Sequence, residues 1–255
     1  MFLKSFRQSV FRIWRNIQIK NHKLNYLFWE CTLRCNLDCL HCGSDCLKNS
    51  QTPDTPLKDF VKVLDEIKAG GIKNLFICIT GGEPLLRNNL EQAGQEIIKR
   101  GYNWGIVTNG MLLTNERFVS LVKAGMSSIS FDMDGLEAEH NYLRRNKHSF
   151  EKVVNAIRTA VTFQKKFPSF IFDVITCVHP GNINSLNEVR DFLISENVKR
   201  WRIFSIFPEG RAKNNELFLS AEQYKQLIEF ISSTRKFKTQ QNKRIHVNYS
   251  CEGYL

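Results

Sequence analysis

Apolar residues along the chain form two kinds of segment, continuous runs and longer stretches with helical spacing. Continuous runs are typical of strands buried on both faces, and apolar residues three and four positions apart indicate amphipathic helices. Strands are predicted at 24–30, 73–80, 104–108, 128–133, 170–178 and 200–206. Helices follow them at 57–69, 88–100, 114–124, 149–165, 186–196 and 220–233.

Glycines and a serine mark the ends of several of these helices. Gly70, Gly101 and Gly125 come just after a predicted helix, and Ser220 stands at the N-cap of the last one. Six strand–helix alternations predict a parallel sheet built from right-handed βαβ units. Both a barrel and a doubly wound sheet share this pattern.

The first 23 residues hold basic side chains and no acid. Phe6, Val10, Phe11, Trp14 and Ile17 recur there at helical spacing, which predicts a basic amphipathic helix. Such a helix could lie on a membrane surface or an acidic partner. It could also pack its aromatic stripe on the domain, and we favour this packing because single amphipathic faces usually meet a core.

The composition describes a folded chain with one main domain. The 255 residues are 42% hydrophobic and include 19 Phe, which is ample for a core. We divide the chain into the helix at 1–23, a core domain at 24–235 and the start of a C-terminal extension at 236–255.

The net charge and the cysteine content indicate which partners and which cellular compartment to expect. A formal net charge of +11 favours acidic partners, and the charge alone does not distinguish one kind of acidic partner from another. Separately, no nucleic-acid partner is expected. The eight cysteines lack the regular pairing of a secreted disulfide scaffold. We see no signal peptide and no apolar run of transmembrane length, so a cytoplasmic protein with reduced thiols is expected.

Five of the eight cysteines lie between positions 31 and 46, directly after the first predicted strand. Cys35, Cys39 and Cys42 form a C-x3-C-x2-C array; a frame beginning at Cys31 fails because Asp38 stands where the third thiol is needed. Three thiolates are one short of the four that usually hold a [4Fe–4S] cluster, which leaves one iron open for another ligand. Structural zinc and a dithiol redox pair remain alternatives.

A second special segment, Thr80-Gly81-Gly82-Glu83-Pro84, follows the second predicted strand. In parallel α/β folds, sites gather at the C-terminal ends of the strands. Two glycines permit close backbone approach to a ligand, and the Glu83 carboxylate could accept hydrogen bonds from an ammonium group. An ordinary turn is the alternative, and the neighbouring cysteine array disfavours it.

The cysteine array together with Gly-Gly-Glu-Pro resembles the signature of the radical S-adenosylmethionine (radical SAM) enzymes. The resemblance implies a partial (β/α)6 TIM-like barrel, a [4Fe–4S] cluster on Cys35, Cys39 and Cys42, and SAM on the fourth iron. It further implies reductive cleavage of SAM to a 5′-deoxyadenosyl radical, with an electron from a flavodoxin or ferredoxin type donor. No protein acid or base is assigned as catalytic.

The same resemblance assigns further residues to SAM. Gly81, Gly82 and Glu83 correspond to the contact with the methionine amino group. Polar residues at the ends of the third and fourth strands and the residue before the last cysteine complete the predicted SAM site, namely Thr108, Asn109, Asp132, Asp134 and His41. Asp132 stands where many members have serine.

The segment at 208–212, Pro-Glu-Gly-Arg-Ala, resembles that of the SPASM subgroup, whose members modify peptides or proteins and carry auxiliary clusters. Cys251 could begin such an extension, but no cysteines follow it, so we expect a truncated chain or a lost auxiliary domain. Cys46 is a further candidate ligand, while Cys78 and Cys177 are expected to be packing thiols.

Three functions remain open at the level of the sequence. The first is a radical SAM enzyme acting on a peptide or protein. The second is the same chemistry on a porphyrin-like or pterin-like small molecule. The third is a non-catalytic protein that holds a cluster or zinc, which Gly81, Gly82 and Glu83 disfavour because such a protein needs no SAM pocket.

Overall fold

A computed structural model describes residues 2–214 and 216–250. Its centre is a parallel sheet in the strand order β1 to β7, so each strand pairs with the next along the chain. The strands are β1 Tyr26–Thr32, β2 Phe76–Gly81, β3 Asn103–Thr108, β4 Met126–Asp132, β5 Ile171–Val178, β6 Arg200–Ser205 and β7 His246–Tyr249. The helices are α1 Phe2–Asn21, α2 Leu57–Ala69, α3 Leu90–Lys99, α4 Asn115–Lys123, α5 Glu137–Arg144, α6 Ser149–Lys166, α7 Leu186–Ser195 and α8 Ala221–Lys236.

The core lies between the sheet and the helices that connect its strands. Trp104 on β3 and Trp201 on β6 are fully buried in it. Gly94 lets α3 approach β3, because a Cβ atom there would come within 2.1 Å of the Trp104 ring. The sequential parallel order, with a helix after most strands, confirms the predicted barrel-type fold.

The sequence did not predict two of the elements. Helix α5, Glu137–Arg144, has eight residues, of which only three are buried. Strand β7, His246–Tyr249, has four residues and alternates exposed with buried positions. Neither offers the long periodic apolar pattern that identifies an element in a sequence. Because β7 pairs with β6, the sheet continues beyond the domain boundary predicted at residue 235.

The predicted N-terminal helix is present as α1, but the packing that we favoured for it is wrong. Val10, Phe11, Trp14 and Ile17 are about half-exposed, so these side chains do not enter the core. Among the described residues, no helix has the length and hydropathy required to cross a membrane.

Candidate functional site

The C-terminal ends of the strands surround a cavity of about 260 Å³. The cysteine loop leaves β1 and forms one wall, while the ends of β2 to β5 form the others. The residues that line it include Cys35, Cys39, His41, Cys42, Cys46, Thr80, Gly81, Gly82, Thr108, Asn109, Asp132, Arg144 and Cys177. Most of the predicted site residues therefore meet at one place, as expected for a parallel barrel.

The spacing of the three cysteine thiols can be compared with the two metal alternatives. Thiolates on one zinc ion lie about 3.8 Å apart, since each Zn–S bond is about 2.3 Å and the geometry is tetrahedral. In the described part of the chain, His41, Asp134 and Cys177 place three potential donor atoms within 4.8 Å of one another, whereas Cys35, Cys39 and Cys42 do not. The three thiols, as placed in the described part of the chain, are therefore not gathered around a single zinc ion.

Gly81 and Gly82 are required by a close approach of β2 to the cysteine loop. Gly81 has φ +122°, and a Cβ atom there would lie 2.3 Å from the carbonyl oxygen of Thr32. A Cβ atom on Gly82 would lie 2.1 Å from the carbonyl oxygen of Arg34. The Gly82 and Glu83 amides donate to these same two carbonyls at 2.8 and 2.9 Å. The glycines thus hold the cysteine loop against β2 while facing the cavity.

Glu83 is fully buried and joins the end of β2 to the end of β3. Its Oε1 atom accepts from the Leu85 amide at 3.0 Å and from Thr108 Oγ1 at 2.8 Å. Its Oε2 atom accepts from the Asn109 amide at 2.9 Å. Burial outweighs these hydrogen bonds and raises the pKa of Glu83 to about 7. Glu83 does not line the cavity, and three internal donors leave about one acceptor position for a ligand.

Asn109 links the end of β3 to the cysteine loop. Its Nδ2 atom donates to Asn36 Oδ1 at 2.8 Å and lies 4.0 Å from Cys35 Sγ. Its Oδ1 atom accepts from the Met111 amide at 2.9 Å. Asn109 thus orients the loop at the first of the three cysteines.

Asp134 and Arg144 form a buried ion pair behind the cavity wall. Asp134 Oδ2 lies 2.6 Å from both Nε and Nη2 of Arg144, and Asp134 Oδ1 accepts from the Cys177 amide at 2.9 Å. Burial disfavours the ionised carboxyl, but Arg144 and two nearby histidines together lower the pKa of Asp134 to about 2. Asp134 does not line the cavity, whereas Arg144 does and lies 3.8 Å from Cys39 Sγ through Nη1.

Asp132 and His41 both line the cavity, and each lies near one member of this pair. Asp132 Oδ2 lies 3.6 Å from Arg144 Nη1, and burial raises the pKa of Asp132 to about 6. His41 Nε2 lies 4.0 Å from Asp134 Oδ2. Burial lowers the pKa of His41 to about 4, so its ring is neutral at pH 7.

The segment at 208–212 packs directly on the cysteine loop. Gly210 has φ +53°, and a Cβ atom there would lie 2.3 Å from the carbonyl oxygen of Cys42. Arg211 donates from its amide to the Cys42 carbonyl at 3.0 Å and from Nε to the Cys39 carbonyl at 2.8 Å. Sequence reasoning noted this segment only as a subgroup resemblance and missed its contact with the cysteine loop.

The remaining cysteines separate into different environments. Cys46 is buried beside Cys42, and its amide donates to Cys42 Sγ at 3.4 Å. Cys78 is buried in β2, as expected for a packing thiol. Cys177 lies on β5 as predicted but faces the cavity, so the expectation that it only packs in the core is wrong. Cys251 lies outside the described residues.

Curated proteins with similar sequences have several named activities. AdoMet-dependent heme synthase of Oleidesulfovibrio alaskensis is 27% identical over 212 residues, which are 82% of this chain and 52% of the relative. Fe-coproporphyrin III synthase of Methanosarcina barkeri is 24% identical, over 86% of this chain and 54% of the relative. Mycofactocin maturase MftC of Mycolicibacterium smegmatis is 27% identical, over 80% and 51%. The chain thus spans about half the length of these relatives.

Two solved structures show the same fold at low sequence identity. Streptococcus suis SuiB bound to S-adenosylmethionine has a TM-score of 0.71 and 16% identity, covering 92% of this chain and 53% of that chain. The protein anSMEcpe with bound AdoMet and Cp18Cys peptide has a TM-score of 0.67 and 22% identity, covering 88% and 63%. Both agree with the parallel barrel described above.

A family profile matches the part of the chain that contains the site. The profile of the Radical SAM superfamily covers residues 29–193, from the middle of β1 into α7. The cofactors of this family are a [4Fe–4S] cluster and SAM, in agreement with the cofactors predicted from the cysteine array. Because the match covers more than half of the sequence, the chain belongs to the Radical SAM superfamily.

Proposed function

We propose that the protein cleaves SAM reductively at a [4Fe–4S] cluster held by Cys35, Cys39 and Cys42 and uses the radical to modify a peptide or protein. The observation that carries this proposal is the convergence of the three cysteines with Gly81 and Gly82 on one cavity. When bound, the cluster and SAM supply radical hydrogen abstraction, and the chain positions them and excludes water.

Different residues of the site would bind different parts of SAM. Backbone carbonyls at Gly81 and Gly82 would hold the ammonium group, and Glu83 would support the site from behind the wall by orienting Thr108 and the Asn109 amide. Thr108, Asn109 and Asp132 would face the ribose, and the neutral His41 ring would lie beside the adenine. These residues come from the ends of β2, β3 and β4 and from the cysteine loop.

Asp134 takes a different part from the one that the family resemblance implied. Its carboxylate is bonded to Arg144 and to the Cys177 amide, which leaves it behind the cavity wall. We assign it a positioning role: it holds the Arg144 guanidinium beside Cys39, where a positive charge favours the thiolate.

A peptide or protein substrate is supported by two observations. The Pro-Glu-Gly-Arg-Ala segment at 208–212 resembles the peptide-modifying SPASM subgroup and packs on the cysteine loop through Gly210 and Arg211. One relative is named as a maturase, and one fold neighbour is bound to a peptide. The low-potential electron would come from a flavodoxin or ferredoxin type donor in the cytoplasm.

A small-molecule substrate is the second candidate. Relatives that match this chain over 82% and 86% of its length are named as synthases of heme and of Fe-coproporphyrin III. The same radical chemistry would then act on a tetrapyrrole-like intermediate, and the cavity residues would keep the same roles toward SAM.

The first experiment tests radical generation. Protein reconstituted anaerobically with iron and sulfide should form 5′-deoxyadenosine from SAM under reduction, and the Cys39→Ala variant should form none. Tightly bound zinc without labile sulfide would contradict the proposal. The second experiment compares substrates: peptides encoded beside the gene should change in mass on co-expression, whereas conversion of an iron porphyrin alone would favour the small-molecule candidate.

A further inference from the structure

Helix α1 presents an apolar face that the rest of the described chain does not cover. Val10, Ile13, Trp14 and Ile17 follow the i, i+3, i+4, i+7 spacing, which places them on one side of the helix. They are 50%, 61%, 54% and 49% exposed. Helices gain most of their stability from burying such a face, so this arrangement calls for a partner surface.

The charged side chains of the same segment are all basic. Residues 1–23 contain six basic residues and no acid, and the first acid of the chain is Glu30. Arg12, Arg15 and Lys20 are exposed on the same helix, Lys20 at the edge of the apolar face and the two arginines on the opposite, polar face. A partner must therefore combine negative charge with an apolar layer that side chains can enter.

We propose that α1 lies in the plane of a membrane surface containing anionic lipids. Val10, Ile13, Trp14 and Ile17 would enter the boundary between headgroups and acyl chains, while the basic residues contact the phosphate groups. An apolar face together with a cluster of cations supplies the two attractions that stable binding of a surface helix requires. The inference is independent of the substrate on which the barrel acts.

A second copy of the chain fits this surface less well. Pairing two α1 helices would cover the apolar faces but would bring two all-basic segments together, which costs electrostatic energy. Anionic lipid covers the face and neutralises the charge at the same time. Trp14 also has the amphipathic ring that favours the membrane interface.

The test is flotation of the full-length protein with lipid vesicles. Vesicles of phosphatidylcholine containing about a third phosphatidylglycerol should carry the protein upward, and pure phosphatidylcholine vesicles should carry far less. Raising the salt concentration should weaken the binding, because salt screens the attraction between cations and headgroups.

Two neighbouring substitutions distinguish the contribution of apolar insertion to vesicle binding from the contribution of net charge. Ile17→Glu and Asn16→Glu change the net charge equally, but residue 17 lies on the apolar face and residue 16 does not. Both should lose about fivefold in affinity through the added negative charge. Ile17→Glu should lose at least about tenfold more, since it also removes an apolar side chain from the interface.

Three results would overturn the proposal. They are equal binding to both kinds of vesicle, equal loss of binding in the two variants, and a concentration-dependent dimer that Ile17→Glu abolishes while neither vesicle is bound. Formation of 5′-deoxyadenosine from SAM, measured in parallel, verifies that each variant is folded and keeps a loaded site.

Discussion

Arg211 lies against Cys39, with its Nε atom donating to the Cys39 carbonyl oxygen at 2.8 Å across 172 residues of sequence. The same guanidinium donates from Nη1 to the Cys46 carbonyl at 3.0 Å and to Asp45 Oδ1 at 2.8 Å. Hydrogen bonds from Arg211 therefore hold the loop that would carry the cluster. Their contribution to the stability of the loop can be measured.

Arg211→Ala should loosen the cysteine loop and speed the loss of iron from the reconstituted protein. Removing hydrogen bonds from a charged donor costs about 1.5–3 kcal/mol, which corresponds to about tenfold or more in the rate of release to a chelator. Lys213→Ala is the matched control, because Lys213 lies in the same 3-10 helix, Gly210–Asn214, but pairs with exposed Glu209. Equal rates of iron release in the two variants would show that the hydrogen bonds of Arg211 do not hold the loop.

The cluster itself is tested by single cysteine substitutions. Cys35→Ala, Cys39→Ala and Cys42→Ala should each abolish iron–sulfur absorption and lower the iron content from about four per chain, since each removes a cluster ligand. Cys78→Ala should keep the cluster, because Cys78 is buried in β2 and does not line the cavity. Retention of a full cluster in Cys39→Ala would refute the assignment of ligands.

Glu83→Ala should affect both stability and SAM binding. It removes the acceptor shared by Leu85, Thr108 and Asn109, and each buried donor left unpaired costs about 1–3 kcal/mol in the free energy of unfolding. SAM affinity should also fall, with unchanged iron content, because Thr108 and Asn109 in the cavity wall lose the carboxylate that orients them. Wild-type SAM affinity in the variant, measured by anaerobic equilibrium dialysis, would remove Glu83 from the SAM site.

Asp134→Asn should lower the free energy of unfolding by about 3 kcal/mol, the lower end for breaking a buried ion pair, because the buried Arg144 charge keeps only Asp132 at 3.6 Å. Asp65→Asn, which breaks the pair between exposed Asp65 and Arg100, should have a much smaller effect in the same denaturant titration, because solvent screens this pair. Since the pKa of Asp134 is lowered to about 2, the pair stabilises the fold above pH ~4. That stabilisation is lost as the pH falls from ~4 toward 2, and the variant should lack this loss.

His140 predicts a second dependence on pH. The buried, neutral ring accepts from the Asp134 amide at 3.0 Å and contacts Ser149 Oγ at 2.9 Å, and burial lowers the pKa of His140 to about 3. In the unfolded chain the pKa is about 6.5, so below that pH protonation favours unfolding.

The free energy of unfolding should consequently fall by about 2 kcal/mol between pH 7 and pH 5 through His140 alone. His140→Asn should flatten the dependence over this range, measured by urea unfolding of the metal-free protein at each pH. His246→Gln is the control, because His246 is exposed on β7. An unchanged slope in His140→Asn would show that His140 is not the group responsible.

The sequence by itself predicted the parallel sheet of alternating strands and helices and the three cysteines that we propose as cluster ligands, while the choice of a barrel came from the family resemblance. Continuous apolar runs identify buried parallel strands because both faces of each strand must be covered, and helix ends follow from local capping. Thr114 and Ser220 are the N-caps of α4 and α8. Each cap depends on one side chain and the adjacent backbone, so it can be predicted without knowing the fold. The cysteine spacing is equally local, since all three cysteines lie within one short loop.

Tertiary structure decided how that loop is held and which polar groups face the cavity. Side chains with strong sequence signals, such as Glu83 and Asp134, lie behind the wall because neighbouring strands supply their hydrogen-bond partners. Arg144 and Arg211 reach the cysteine loop from more than a hundred residues away. Such contacts depend on where separate strands end relative to one another, and no local pattern in the chain encodes that distance.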